Sequence, residues 1–417
     1  MAGRLIPSLV LGALVVAGCG GSDGNPDSST SAVPSSSPSS PSTPSSASTP
    51  AAAADVERTA SSPIEETVSG LDMARDQIVP SGAPEPLVAF DEIRSGGPPP
   101  DGIPPIDEPE FVTAADVDFL ADSEPVLALD VDGDARAYPV QILTWHEIVN
   151  DTVGGVPMTI TYCPLCNSAV AYDRRLEDRI LDFGTSGLLY NSALVMYDRQ
   201  TETLWSHFTG EGIVGELTGD TLTTFPVATV SWKTWRDAHP DGLVLSRDTG
   251  FTRDYGRNPY PGYDDVDGVP FLFEGDVDGR YTALTRIVGI ELNDAALGIP
   301  LVDLQNAQVI TGEIDGTALV AFWTAGTNSA LDDADIASGN DVGATGVFVP
   351  EHDGTDLTFV AQGDGTFSDD QTGSTWTVLG VAVDGPLDGV QLEPLVHVDT
   401  FWFAWSTFRT DTDVLTG

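Results

Sequence analysis

Two cysteines stand three residues apart in Cys163-Pro164-Leu165-Cys166, between the apolar runs at residues 158–162 and 169–172. Two strand-like runs joined by so short a turn can aim both sulfurs at one point. Three chemistries suit that arrangement. The leading one is metal ligation: two thiolates completed by imidazole suit a soft ion, Cu or Zn, and His146 and His207 are the candidate third and fourth ligands. In that reading Glu147 or Asn150 would orient His146. The second is a dithiol redox pair, one cysteine nucleophilic and the other resolving, although redox cysteines of the thioredoxin kind open a helix and the sequence after Cys166 reads as strand. The third is a structural disulfide in an adhesion or structural module outside the cytoplasm. Its loop is so small that chain entropy contributes only about 2 kcal/mol. The plainer reading of His146, in Trp145-His146-Glu147, is a hydrogen-bonded packing residue. Asp198-Arg199 and Asp254-Tyr255-Gly256-Arg257 either bind a polar substrate or form structural ion pairs.

These residues need elements to carry them. From residue 111 onward short apolar runs are punctuated by Asp132-Gly133, Gly154-Gly155, Asp278-Gly279, Asp315-Gly316 and Asp353-Gly354, the pattern of two-residue hairpin turns. Helical patterns are few: 114–120, 143–150, 232–239 and 400–408. An internal repeat runs through the chain. Tyr138-Pro139-Val140 parallels Ile299-Pro300-Leu301, Thr201 to Trp205 parallels Thr372 to Trp376, and Trp232 and Trp235 parallel Trp402 and Trp405. The expected fold is therefore mainly β: two tandem related antiparallel units, 111–250 and 285–417, with few short helices and an Arg/Tyr/Gly/Pro-rich insert at 251–284. His146, Cys163, Cys166 and His207 correspond to Ala307, Thr324, Thr327 and Val378, so the chemistry belongs to the first unit.

The beginning of the chain reads as export and anchoring. Residues 1–18 hold a short apolar run after Arg4 and end in Val16-Ala17-Gly18 before Cys19, which resembles a bacterial lipoprotein signal with Cys19 as the lipidated residue. Residues 19–62, rich in Ser and Pro, read as a disordered tether, with a short helix expected at 67–76. Residues 63–110 read as an N-terminal strap whose later part packs on the domain. The expected location is the extracytoplasmic face of a bacterial membrane, with the membrane as partner through lipidated Cys19. The 417 residues carry 17 Lys+Arg against 64 Asp+Glu, a formal net charge of −47. That excludes nucleic acid as the main partner, gives no hint of a protein partner, and suggests a saline habitat. Most of the positive charge lies in the middle of the chain, and only Arg409 follows Arg286.

Tyr138-Pro139, Trp145-His146-Glu147-Ile148-Val149-Asn150-Asp151, Thr161-Tyr162-Cys163-Pro164-Leu165-Cys166, Leu188-Leu189-Tyr190-Asn191-Ser192, Tyr197-Asp198-Arg199, Leu204-Trp205-Ser206 and Leu245-Ser246-Arg247-Asp248-Thr249-Gly250 together resemble domain-of-unknown-function family 3179. The family consists mostly of exported bacterial and archaeal proteins and brings no established activity. The resemblance implies His146, Cys163 and Cys166 as functional positions, with Tyr190, Asn191, Asp198 and Arg199 around them as substrate-binding candidates. Two departures stand out: Asn167 where the family usually has Gly, and His207 where it often has Gln.

Overall fold

Paired turn residues set the strands. The computed structural model describes Val79 and residues 82–417. In it Asp132-Gly133, Gly154-Gly155, Asp315-Gly316 and Asp353-Gly354 hold positive φ at both positions, as a two-residue hairpin turn must to match the twist of its strands. They join Pro125–Val131 to Asp134–Pro139, Ile148–Val153 to Val156–Cys163, Val309–Ile314 to Thr317–Thr324, and Glu351–His352 to Thr355–Asp356. Asp278-Gly279 makes no hairpin. Asp278 instead clasps the guanidinium of Arg280 (2.9 Å).

The fold is mainly β, with four short α-helices among the described residues: Val140–His146, Trp232–Ala238, Leu301–Ala307 and Trp402–Phe408. Only a short 3-10 turn, Ala114–Asp116, occupies the expected 114–120 helix. The helix expected at 143–150 starts at Val140, because Pro139 supplies a fixed φ at its entry, and stops at His146. Glu147 follows with φ 59°, and the β-branched Ile148 and Val149 open the strand Ile148–Val153. The helix Leu301–Ala307 has no counterpart among the sequence expectations, yet it is the repeat of Val140–His146, entered from Pro300 with nearly the same dihedrals as Pro139.

The two units repeat their strand order, with Phe111–Thr113 as an extra edge strand in the first. In the first, Ala228–Ser231, Pro125–Val131, Asp134–Pro139 and Leu243–Leu245 lie side by side; in the second, His397–Phe401, Arg286–Leu292, Ala295–Pro300 and Asp413–Val414 take the same order. Both sheets contain one parallel pair, Asp134–Pro139 with Leu243–Leu245 and Ala295–Pro300 with Asp413–Val414, in otherwise antiparallel surroundings. The Trp205 indole donates to Asp198 Oδ2 at 2.9 Å, and the Trp376 indole donates to Asp369 Oδ2 at the same distance. The units share their cores. Ile148, Tyr172 and Trp205 pack in one cluster with Leu284, Phe401 and Trp402, while Val126, Trp232 and Trp235 pack in another with Phe322, Phe348 and Trp376.

The segment before residue 111 crosses the first unit as a short parallel bridge: the Ile106 amide donates to Ile148 O (2.9 Å) and Ile106 O accepts from the Asn150 amide (2.8 Å). The signal, Cys19, the tether and the 67–76 helix lie outside the described residues. Among those described, no helix is long and apolar enough to cross a membrane.

Candidate functional site

Cys163 ends one strand and faces Ser168 at the start of the next. Pro164 to Asn167 make the turn, closed by the Asn167 amide on Pro164 O (3.2 Å). Asn167 sits at φ 49°, a left-handed position that glycine takes freely and asparagine tolerates. The turn geometry thus accounts for Asn in place of the family's Gly. Both sulfurs are buried and unbridged, Cys163 2% and Cys166 0% exposed.

Their surroundings differ. Burial raises the Cys163 thiol, but the Cys166 thiol and the backbone amides of Leu194, Cys166 and Leu165 directed at its sulfur outweigh burial and hold it below the ordinary thiol value. Burial pushes Cys166 well up, and the hydrogen bond to Cys163 and its charge push further. Of the two thiols Cys163 is the more acidic, and Cys166 holds its proton the more tightly.

A chain of hydrogen bonds leads into Cys166. Ser168 Oγ lies 3.0 Å from Cys166 Sγ, His207 Nε2 lies 2.8 Å from Ser168 Oγ, and Thr161 Oγ1 lies 2.7 Å from His207 Nδ1. Thr161 Oγ1 donates its one proton to Val170 O (3.2 Å), so His207 Nδ1 donates to Thr161 and Ser168 donates to His207 Nε2. Donors aligned this way polarise one another. Burial keeps the imidazole neutral, with a pKa lowered to about 3. His207 therefore reaches the cysteines only through Ser168, and the expectation that it ligates beside them changes to a hydrogen-bonding role.

His146 does not join the cysteines. Its Nδ1 donates to Pro104 O (2.7 Å), and its Nε2 meets the Tyr255 hydroxyl (2.6 Å), which Thr249 Oγ1 also approaches at 2.6 Å. A carbonyl can only accept, so Nδ1 carries the proton and Nε2 takes the phenol's. Both ring nitrogens are committed, and burial holds the imidazole below its ordinary pKa. Asn150 does not orient His146; its amide bridges Asp107 (2.7 Å) and Phe183 O (2.8 Å). Among the described residues no group of three or more His, Cys, Asp or Glu side chains could hold a metal ion.

The chain matches the family described as Protein of unknown function (DUF3179) over residues 100–412. It belongs to that family. No curated protein and no solved structure compared with it matches. The matched span takes in both units and every residue of the thiol site, so this site is part of the DUF3179 domain itself.

The substrate-binding candidates of this DUF3179 protein serve its framework. Asp198 is fully buried and accepts from the Trp205 indole and from the Thr201 amide (2.6 Å). The second unit repeats this at Asp369. Arg199 ties the crossing segment through Asp101 (3.2 Å) and Asp107 (3.0 Å). Tyr190 packs edge-on to Phe408, and Asn191, at φ 50°, forms the hairpin tip with Ser192 at φ 62°. This hairpin presents the Leu194 amide to Cys163.

Several contributors escape sequence reasoning. Thr400 Oγ1 (2.7 Å) and the Phe401 amide (3.1 Å), both from the second unit, donate to Cys166 O. Tyr263, from the insert, donates to Leu165 O (2.9 Å) and accepts from the Phe271 amide (3.1 Å), latching the insert over the turn. Its Tyr-rich composition was the available signal. Glu147 is the most informative of these residues. It is 8% exposed, its carboxyl makes no hydrogen bond among the described residues, and burial, with the Cys163 charge next, raises its pKa well above the carboxylate range.

Proposed function

We propose that this chain is an extracytoplasmic, lipid-anchored thiol–disulfide oxidoreductase in which Cys163 is the nucleophile and Cys166 the resolving thiol. The observation that carries the reading is a buried, unbridged Cys-x-x-Cys pair on one turn whose members differ: the Cys163 thiol is lowered, while Cys166, bonded to Ser168 (3.0 Å), is raised well above the ordinary thiol value. A thiolate, not a thiol, attacks a disulfide. Cys163 attacks one sulfur of a partner disulfide, the partner's S–S bond breaks, and its other sulfur leaves as thiolate, protonated by Glu147. With the Cys163 charge gone, Glu147 is left as carboxylate and takes the Cys166 proton. The Cys166 sulfur then attacks Cys163 and releases the partner's second sulfur as thiolate. Glu147 gives the Cys166 proton to the released thiolate and ends as carboxylate, so two electrons and two protons pass to the partner, whose disulfide becomes a dithiol, and Cys163 and Cys166 end as a disulfide. Because both sulfurs are buried, exchange requires the Tyr263 latch to lift. Lipidation at Cys19 would hold the site where disulfide partners persist.

Metal ligation by the same pair would require His146 to give up Pro104 and Tyr255, or Ser168 to give way before His207. The test joins both readings. Protein purified under reducing conditions is analysed for metal and then equilibrated in thiol–disulfide buffers, beside a Cys163→Ser variant. The expected result is a reversible Cys163–Cys166 disulfide without stoichiometric metal. Copper or zinc bound one per chain and lost in the variant would replace this reading with the metal one. A pair that never oxidises within the native fold would sink it.

A further inference from the structure

Ten large apolar side chains are exposed among the described residues, and five of them, Phe251, Val266, Val269, Phe271 and Leu272, fall in the insert. Apolar exposure gathered on one segment marks an interaction surface; single exposures do not. Val269 is 81% exposed. Phe271 is 49% exposed although its backbone is tied on both sides: its amide donates to the Tyr263 hydroxyl (3.1 Å), and its carbonyl accepts from Ser192 Oγ. Leu272 is exposed at φ 51°, where a branched side chain is rarely found. The fold thus holds these side chains in solvent, next to the tyrosine that closes the thiol turn. Charge narrows what can cover them. The nearby arginines are taken, Arg94 by Glu274, Arg280 by Asp278 and Arg286 by Asp264. Asp265, Asp267 and Asp276 are exposed and form no ion pair among the described residues. A second copy brings the same carboxylates and the same net charge of −47, and an anionic membrane surface repels them too. A cationic partner complements the acidic rim.

We propose that this face of the insert docks the redox partner of Cys163, and that the partner is a polypeptide with apolar side chains and Lys or Arg around its disulfide. The need for a disulfide rests on the thiol–disulfide reading; the docking face does not. Docking also bears on access to the sulfurs: a partner that moves Phe271 separates its amide from Tyr263, the residue bonded to Leu165 O.

Three labelled peptides probe the full-length protein: one of Leu, Phe and Lys, one with Glu for each Lys, and one with Ser for each Leu and Phe. Each carries two serines where a disulfide would stand, so binding is read without chemistry. By fluorescence anisotropy the Lys peptide should saturate at one per chain, and the other two should bind at least about ten-fold more weakly. Val266→Ser combined with Val269→Ser should weaken the Lys peptide about ten-fold. Asp267→Lys combined with Asp276→Lys should move the preference toward the Glu peptide. All four positions are exposed, and near-ultraviolet circular dichroism checks each variant. With a disulfide in place of the serines, the Lys peptide should oxidise the reduced native protein at least about ten-fold faster than the Glu peptide. Equal binding of the three peptides, or binding that both double variants leave unchanged, would overturn the proposal. Adsorption to phosphatidylcholine vesicles, or a dimer, that the valine variant abolishes in the absence of selective peptide binding would give the face to a membrane or to a second copy. Hydroxyethyl disulfide separates the two readings. If it oxidises the native protein while no peptide binds selectively, the docking face alone falls; if it does not react while the Lys peptide still binds selectively, the redox reading alone falls.

Discussion

The lowered pKa of Cys163 depends on the Cys166 thiol as well as on backbone amides. Replacing Cys166 by Ala removes that donor and should raise the Cys163 pKa by about one to two units, since a hydrogen bond to a charged group is worth about 1.5–3 kcal/mol. The pH dependence of Cys163 alkylation measures this; an unmoved profile would show that the amides alone hold the charge. His207 offers a second handle. Its folded pKa, about 3, lies below the ordinary histidine value, so between those limits the unfolded chain binds the extra proton. The stability from the neutral imidazole is present above the ordinary histidine range and is lost as pH falls toward about 3, at about 1.4 kcal/mol per unit. His207→Gln keeps an amide that can bond Ser168 and cannot titrate. Urea unfolding at neutral and mildly acid pH should show a shallower acid decline in the variant than in the native chain. Parallel declines would place the acid sensitivity elsewhere.

Elements convert these residues into a site. The Cys163-Pro164-Leu165-Cys166 turn is gripped from three directions: the 190–193 hairpin through Leu194, the insert through Tyr263, and the second unit through Thr400 and Phe401. Tyr263 is the part of this grip that can be released without touching the sulfurs. Tyr263→Phe loses bonds to Leu165 O and the Phe271 amide, about 1 kcal/mol each, which should favour the open insert roughly five- to thirty-fold. Reaction of Cys163 with a small disulfide under native conditions should accelerate by that factor. An unchanged rate would mean that the insert does not control access.

The two units behave as one structure because their cores interlock. Trp376→Phe, in the unit without cysteines, removes one of the three hydrogen bonds on Asp369 Oδ2 and leaves space in a fully buried site, and should cost about 1–3 kcal/mol. Since Trp376 shares its core with Trp232 and Trp235 of the first unit, thiol exposure and tryptophan fluorescence should shift together; separate transitions would mean the halves unfold apart. The basic residues of the middle segment are largely consumed in ion pairs, Arg136 with Asp151 (2.7 Å), Arg175 with Asp173 (2.6 Å) and Arg286 with Asp264 (2.7 Å). They neutralise local acids, while the bulk of the −47 stays unopposed. Melting temperature should therefore rise with sodium chloride, as the Debye length falls from about 10 Å at 0.1 M to about 3 Å at 1 M. A melting temperature indifferent to salt would remove the argument for a saline setting.

Local chemistry was legible without coordinates. Asp132-Gly133, Asp315-Gly316 and Asp353-Gly354 announced hairpins because a type I′ turn needs positive φ at both residues, although Asp278-Gly279 reads the same and makes none, and the matched Trp, Pro and Gly positions announced the repeat because each serves the fold in both units. The spacing of Cys163 and Cys166 and their placement in the first unit were likewise readable. Which side chains meet the sulfurs was not. His146 and Glu147 are neighbours in sequence, yet the helix ends between them and Glu147 turns through positive φ. The histidine then bonds Pro104 and Tyr255, and the glutamate comes under the influence of Cys163. Periodicity cannot register a single dihedral that sends adjacent residues to different places. Nor could spacing show that Thr400, more than two hundred residues away, holds Cys166 O, because that contact exists only once the two units have packed together.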